Sequence, residues 1–586
     1  MTDVAIIGGG PAGSTVGTLL RKYDPALRVT ILEKERFPRE HVGESQLPAI
    51  GAILHEMGAW DKVEAAGFPI KLGASLTWGR NGEKWDFDFY PVERFVDEPR
   101  PGRYQGQRMR TAWQVDRAIY DTILLDHAAE LGCEVRQQTR VERIEREGDR
   151  ITGLALAGGE RLEADWYIDA TGAAGALRRA MDVGIAAPQE LRNIAIYGYW
   201  DNVEWAIQIG VGGTRVQVRS LPYGWIWFIP LGPTRASVGL VCPADYYRDS
   251  GKAPAALYHE SLQRQEDIAA LMRDAQMTGE VQTTKDWSQV CDRLVGANWA
   301  ICGEAAGFAD PILAAGMTLA HTSARELAYT ILEARRGEQD RDWLLQSYND
   351  KTRRNIEQHI RFAQFWYASN GCFSDLQEHC QKIAGEAGLA LSPQEAWRWL
   401  AQGGFTNQSV DSPNVGSFDL ASARRLVNMF GEEPDRYSFM RHNVYELIDL
   451  SGVRRGKLPV YEDGRVKAVE CLRRSGKVLP VTGAYNVLLH LLRHTSDAAT
   501  LFGMIQSQVL ARAEPQRRSF LGNQLLQALE VMALDGWVRL RTDPARPLPQ
   551  PAVGSSLQLR PSAEGAEALR RARASRGSGA TSADML

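Results

Sequence analysis

The 586-residue sequence has no long apolar run, no block of one charge sign and no internal repeat. A membrane-spanning helix needs about 20 consecutive apolar residues, and no stretch reaches that length. Residues 4 to 7 already have the composition of a β-strand, which leaves no room before them for a signal peptide. We therefore expect a cytoplasmic protein without a membrane span.

Basic residues are scattered along the chain, and 68 lysines and arginines against 72 acidic residues give a formal net charge of −4. This balance does not favour nucleic acid or an anionic membrane as a partner, so we expect a small molecule. The cysteines have no C-x-x-C spacing, and we predict neither a metal site nor a disulfide framework. The seven are Cys133, Cys242, Cys291, Cys302, Cys372, Cys380 and Cys471.

A βαβ unit opens the chain, because two apolar runs, Val4–Ile7 and Val29–Leu32, enclose a glycine cluster and a helical stretch. Glycine at the turn lets the backbone approach a pyrophosphate, and the helix N-terminus supplies amide donors. Glu33, at the end of the second run, would accept a ribose hydroxyl. A purely structural glycine loop is the alternative, but the complete unit favours a dinucleotide site. The glycines in G-x-G-x-x-G order are Gly8, Gly10 and Gly13.

Two later motifs favour FAD over NAD. Asp169–Gly172 (D-A-T-G) and Cys302–Phe308 (C-G-E-A-A-G-F) resemble the second and third signatures of the FAD-dependent monooxygenase group. The third signature usually reads G-D-A-A, and the resemblance implies that its acid binds the ribityl chain. Glu304 stands at that position, with the same charge on a side chain one methylene longer.

The segment Gly224–Pro230 (G-W-I-W-F-I-P) resembles the W-x-W-x-I-P element of flavin-dependent halogenases. The resemblance implies that Trp225 and Trp227 separate the flavin from the organic substrate while a small oxidant passes. A half-buried strand with two tryptophans on one face would give the same spacing, so this alternative stays open.

A second element, Phe68–Ala74 (F-P-I-K-L-G-A), resembles the segment that carries the essential lysine of the same family. Lys71 is at the matching position. The resemblance implies that it hydrogen-bonds hypohalous acid or forms a haloamine, and so delivers the halogen to one place on the substrate. The alternative is a solvated surface lysine, the usual state of that residue type.

Further segments also have counterparts in the family. Asp310–Ala320 resembles the stretch that passes the flavin ring and binds halide through two backbone amides, here those of Ala315 and Gly316. The serine or threonine that usually precedes this glycine is absent, which counts against halogenation. Lys285–Ser288 resembles a segment in which an aspartate attaches the flavin covalently, so Asp286 is a candidate attachment point or a turn residue. The other implied cofactor contacts are Arg39, Ser45, Arg117, Pro311 and Met317.

The resemblance is strongest to the branch with the chloramphenicol-pathway, pyrrole and phenol halogenases. It implies that FADH2, O2 and chloride or bromide give hypohalous acid by way of a flavin hydroperoxide, for an electron-rich phenol, pyrrole or carrier-tethered substrate in antibiotic biosynthesis and secondary metabolism. Because the sequence has no second glycine fingerprint, a separate flavin reductase would supply FADH2. The alternative is a halogenase-fold FAD monooxygenase or oxidase that does not halogenate.

We predict an α/β protein in which an FAD-binding Rossmann-like βαβ domain is interleaved with an antiparallel β-sheet substrate domain, followed by a mainly helical C-terminal region with a winged-helix-like end. The last long helix, near 524–534, has no lysine or arginine, so we do not expect it to read DNA. The predicted parts are 1–185 (FAD-binding, with inserted strands 71–108), 186–280 (substrate sheet), 281–340 (return to the FAD-binding domain), 341–440 (helical), 441–570 (winged-helix-like) and 571–586 (disordered tail).

Overall fold

The computed structural model describes residues 2–78, 84–203, 212–285, 288–368, 414–415, 418–419, 437–549, 558–561, 567 and 571. The chain divides into two compact units. The first contains residues 1–379 and 557–586, and the second contains residues 380–556.

A parallel sheet forms the centre of the first unit and confirms the predicted βαβ opening. Helix Pro11–Tyr23 begins directly after Gly10 and connects the first two strands, with proline at its first position, where no backbone donor is needed. Buried apolar residues occupy both faces of the central strands, as expected for a sheet that is covered on both sides. Within the described residues its order is Trp299–Ile301, Ala164–Asp169, Thr2–Ile7, Val29–Leu32 and Glu134–Arg136.

A second, larger sheet confirms the interleaving, because it combines strands from before and after residue 100. Most neighbours are antiparallel, but Thr214–Leu221 runs parallel to Ile70–Thr77. One face packs on helix Pro254–Arg264 through residues such as Ile226, Phe228 and Leu240. Within the described residues its order is Gln276–Lys285, Asn193–Asp201, Ala236–Pro243, Gly224–Pro230, Thr214–Leu221, Ile70–Thr77, Lys84–Asp88 and Gln558–Pro561, with Ala112–Trp113 beside Ile70.

Residues 109–132 have the sequence pattern of a helix, but the helix itself spans only Arg117–Glu130. Asp116 begins it by accepting a hydrogen bond from the Ala118 amide, and the preceding residues Ala112–Trp113 pair as a strand instead. The other described helices of this unit are Ala49–Met57, Trp60–Ala65, Ala176–Ala180, Ala244–Ser250, Glu266–Leu271, Gly316–Arg336 and Arg341–Ala368. Short strands are Val141–Glu147, Arg150–Leu156, Arg161–Leu162, Ile185–Ala186, Gln289–Cys291 and Gly307–Phe308.

In the second unit, the predicted helix near 524–534 is followed by a turn and a strand. It begins earlier than predicted, at Pro515, and so contains Arg517 and Arg518. Helix Pro515–Leu534 ends at a turn with Gly536 at φ 72°, and strand Val538–Arg541 pairs with Val444–Leu447. The described part also contains helices Gly483–Leu492 and Ala498–Met504, the π-helical turn Ile505–Leu510, and strands Arg454–Glu462, Arg465–Arg474 and Lys477–Pro480. Most of 369–436, and the predicted disordered tail apart from Arg571, lie outside the described residues.

None of the described helices has the length and apolar character needed to cross a membrane. Five cysteines within the described residues are buried free thiols, whereas Cys372 and Cys380 lie outside them.

Candidate active site

The glycine loop lies at the carboxyl end of the parallel sheet, where a dinucleotide binds in folds of this kind. Gly8 has φ 107°, and a Cβ there would overlap the Ala170 carbonyl oxygen, while a Cβ at Gly13 would overlap the Gly8 carbonyl oxygen. Both glycines therefore permit close backbone packing. The Glu33 carboxylate accepts hydrogen bonds from the Gly9 and Glu35 amides at 2.8 and 2.9 Å, which places it beside the loop.

Two arginines converge on one buried carboxylate next to this loop. Arg117 donates from Nε and Nη2 to Asp121 at 2.8 and 2.9 Å, and Arg39 Nη2 lies 3.3 Å from the same carboxylate. Arg117 also donates to the Val42 carbonyl at 2.9 Å, so it fixes the segment before Ser45. Arg39 Nη1 is buried and, among the described residues, has no hydrogen-bond partner. Of the two arginines, Arg39 therefore has a donor group available for a bound anion.

A group of buried polar side-chain atoms near Ser45 also has no partner within the described residues. A buried polar atom without a hydrogen bond costs about 1–3 kcal/mol, so such a group fits a polar ligand. Ser45 and Gln114 form a β-bridge, and Gln46 Nε2 lies 3.8 Å from Met317 Sδ, so these residues adjoin. The atoms are Ser45 Oγ, Gln46 Oε1, both amide atoms of Gln114, and Thr318 Oγ1.

Glu304 lies on a short turn directly after the edge strand of the parallel sheet. Burial raises the pKa of its carboxyl group, although the side chain as a whole is only half-buried. The Cys302 amide donates to the Asp169 carbonyl at 3.0 Å, and Glu304 Oε2 would lie 3.7 Å from a Cβ on Gly172. The second and third flavin signatures are therefore adjacent, and these glycines and polar atoms fit an FAD molecule.

The proposed halide loop ends at the N-terminus of helix Gly316–Arg336. Ala314 adopts φ 51°, an uncommon conformation for a residue with a Cβ, and turns the chain into Ala315, the residue that precedes the helix. The first amide groups of a helix have no partner within it and carry its positive dipole end. The amides of Ala315 and Gly316 can accordingly hold an anion.

Lys71 is buried, with 1% of its surface exposed, so the surface-lysine alternative is wrong. Its Nζ donates to the Gln46 carbonyl at 2.9 Å and lies 5.4 Å from the centre of the Phe89 ring. No carboxylate pairs with it among the described residues, and burial lowers its pKa to about 7. Lys71 is therefore hydrogen-bonded to the backbone of Gln46, the residue after Ser45, and the pKa of its amine is near neutrality.

Trp225 and Trp227 lie on the face of their strand opposite Ile226 and Phe228, and their ring centres are 6.0 Å apart. Trp227 Nε1 donates to Ser237 Oγ at 3.2 Å, and the Trp227 ring lies across the position of a Cβ on Gly239. Their burial is compatible with both the oxidant-passage role and the core-strand alternative.

Several side chains at the site were not singled out from the sequence. Gln46 follows Ser45 and Gln114 lies three residues before Arg117, so closeness in sequence to these predicted cofactor contacts was the available signal. Thr318 follows Met317. Tyr367, whose hydroxyl accepts a hydrogen bond from Trp225 Nε1 at 2.9 Å, is on helix Arg341–Ala368, whose sequence pattern carries no such signal. Asp286, the candidate attachment point for the flavin, lies outside the described residues.

Comparisons with known proteins give a consistent family. The sequence profile of the FAD binding domain family matches residues 1–363. The chain is 30% identical to the 1H-pyrrole-2-carbonyl-(peptidyl-carrier protein) chlorinase of Pseudomonas fluorescens, over 64% of this chain and 85% of that protein. It is 31% identical to the tryptophan 2-halogenase of Chondromyces crocatus, over 58% of this chain and 62% of that protein. The chain thus spans less than two thirds of the latter relative.

The crystal structure of CmlS, a flavin-dependent halogenase, covers 94% of this chain and 98% of its own, with a TM-score of 0.68 and 24% identity, which shows a shared fold. The FAD binding domain match and the flavin signatures define an FAD-dependent oxidoreductase. Since the pyrrole chlorinase aligns over most of its length, the chain belongs to the flavin-dependent halogenase family.

Proposed function

We propose that the protein is an FADH2- and O2-dependent halogenase of natural-product biosynthesis. The observation that carries this proposal is the burial of the Lys71 amine. It has no carboxylate partner among the described residues, and it donates a hydrogen bond to the carbonyl of Gln46, the residue after Ser45. A hydroxylase or oxidase built on the same fold has no need of a buried amine at this position.

The residues that would hold FAD are the glycine loop, Glu33, Arg39, Ser45 and Glu304. When bound in its reduced form, FADH2 would activate oxygen, and the oxygen would supply the oxidising equivalents that turn halide into hypohalous acid. The chain contributes the fixed surroundings: helix and loop amides for charged groups, and buried aromatic rings that keep water and organic molecules away. Arg117 contributes indirectly, by fixing the loop that carries Ser45.

The amides of Ala315 and Gly316 would hold chloride or bromide, and Trp225 and Trp227 would border the passage of the oxidant. At Lys71, the neutral amine attacks the halogen of hypohalous acid. An N–halogen bond forms as the halogen–oxygen bond breaks. The departing hydroxide takes a proton from the amine and leaves as water. The haloamine then transfers its halogen to an electron-rich ring as the N–halogen bond breaks, and the proton displaced from the ring restores the neutral amine of Lys71. Hydrogen bonding of hypohalous acid by the protonated lysine is the alternative role.

The relatives support an aromatic substrate, because their names indicate that one acts on tryptophan and the other on a pyrrole attached to a carrier protein. We propose an electron-rich phenol or pyrrole, free or carrier-tethered, with a separate flavin reductase as the source of FADH2. A carrier partner also agrees with the charge of the second unit, where residues 454–480 contain eight basic and three acidic residues in a chain of net charge −4.

Mass spectrometry tests the proposal directly. The enzyme is incubated with FADH2, oxygen and chloride or bromide, and the phenol, pyrrole and carrier-tethered products are examined for halogen isotope patterns. A halide-dependent pattern supports halogenation. Gain of oxygen or loss of two hydrogens without halide dependence would instead establish the monooxygenase or oxidase alternative.

The role of Lys71 and the state of the flavin have separate tests. Lys71→Ala should retain FAD and consume oxygen but form no halogenated product, and product at the wild-type rate would refute the role. Covalent attachment through Asp286 would add the mass of FAD to the denatured protein, and Asp286→Ala would remove that addition.

A further inference from the structure

The indole of Trp225 is held by a hydrogen-bond chain whose middle member, Tyr367, lies outside the sequence motifs. Trp225 Nε1 donates to the Tyr367 hydroxyl at 2.9 Å, and that hydroxyl donates to Asp310 Oδ1 at 3.0 Å. All three side chains are buried. The Trp78 ring meets both the Trp225 and Tyr367 rings edge-on, with centre distances of 6.4 and 6.2 Å. The indole is therefore fixed by a hydrogen bond at its edge and by an aromatic contact.

The same carboxylate oxygen of Asp310 also controls the start of the proposed halide loop. Asp310 Oδ1 accepts from the Ile312 amide at 2.9 Å and thereby caps the turn Pro311–Leu313. That turn leads through Ala314, at φ 51°, to Ala315 at the helix N-terminus. A displacement of Asp310 would therefore reach both the Trp225 indole and the loop amides.

We propose that Tyr367 and Asp310 are positioning residues that fix the Trp225 indole relative to the amides of Ala315 and Gly316, so that oxidant formed at the loop passes to Lys71 rather than escaping to solvent. This inference rests on the proposed halogenase function. Neither side chain needs to touch the oxidant, because each acts through the indole or the loop.

The test is Tyr367→Phe, which removes one hydroxyl and keeps the ring. FAD binding and the rate of oxygen consumption should be unchanged. The halogenated product formed per oxygen consumed should fall about three- to tenfold, the size expected for the loss of about one hydrogen bond. The hypohalous acid captured by a scavenger in solution should rise in proportion. Asp310→Asn, which keeps an acceptor oxygen for Tyr367, should give a smaller fall.

A matched control exists in the same sheet. Trp200 Nε1 donates to the Tyr258 hydroxyl at 2.9 Å, which donates to the Val238 carbonyl at 2.8 Å. Tyr258→Phe thus removes a chain of the same type away from Trp225, and it should lower the melting temperature without changing the product-to-oxygen ratio. An unchanged ratio in Tyr367→Phe, or an equal fall in both variants, would overturn the inference alone. Absence of any halogenated product from the wild type would overturn the proposed function as well.

Discussion

Lys71 is the residue whose chemistry the structure constrains most. Burial lowers its pKa from 10.5 to about 7, so a large fraction of the amine is neutral under ordinary assay conditions. A haloamine can form only from the neutral amine, because the ammonium has no lone pair. We expect the single-turnover rate of product formation to rise with pH through the region near 7. A rate that falls with pH over the same interval would favour the protonated lysine as a hydrogen-bond donor to hypohalous acid.

The same pKa shift has a consequence for stability. Between about pH 7 and 10.5 the unfolded chain binds more protons at Lys71 than the folded one, so folding is penalised most below pH 7 and the penalty disappears as the pH rises through this interval. Lys71→Met keeps much of the volume and removes the charge. We expect it to raise the free energy of unfolding by about 1–3 kcal/mol at pH 6, net of the hydrogen bond lost by Gln46, and by less at pH 9. Denaturant titrations at the two pH values measure this, and equal gains would contradict it.

At the scale of elements, strand Ala236–Pro243 and strand Gly224–Pro230 pair so that Gly239 lies opposite Trp227. A Cβ at Gly239 would overlap the indole, so Gly239→Ala must displace Trp227 or the strand. We expect a loss of about 1–3 kcal/mol in stability and a reduced yield of halogenated product, with FAD binding retained. Gly232→Ala is the control, because its Cβ would come no closer than 4.0 Å to any neighbour. If both variants behave alike in product assays, Trp227 has no special role.

The sequence predicts an element well where a local pattern determines it. The apolar strand that ends at the glycine turn with Gly8, and the helix that follows this turn, are both of this kind, and both were found. The contact of Trp225 with Tyr367 joins residues 142 positions apart, and no local pattern specifies which helix meets a strand. The parallel pairing of Thr214–Leu221 with Ile70–Thr77 was missed for the same reason, since alternation indicates a strand but not its neighbour.

At the scale of the whole molecule, the second unit has a local charge opposite in sign to that of the chain. Strands Arg454–Glu462 and Arg465–Arg474 form a hairpin in which Arg454 lies directly opposite Arg473. Like charges in opposed positions destabilise a strand pair by up to about 1 kcal/mol, so the Arg454–Arg473 pair opposes folding. The excess of basic side chains on this hairpin favours the binding of an acidic partner. The proposal therefore requires the carrier protein to be acidic. The exposed basic side chains are Arg454, Arg455, Lys457, Lys467, Arg473 and Arg474.

Arg454→Glu separates stability from recognition, because the new carboxylate would face Arg473 and should leave the hairpin as stable as before or slightly more so. If the hairpin binds an acidic carrier protein, kcat/KM for a carrier-tethered substrate should fall about three- to tenfold at low salt, with the loss disappearing as ionic strength rises. Turnover of the same aromatic group as a free small molecule should not change. Arg143→Glu, an equal charge change at an exposed residue of the first unit, is the control. Equal losses in the two variants would show that overall charge, and not this hairpin, governs the encounter with the carrier.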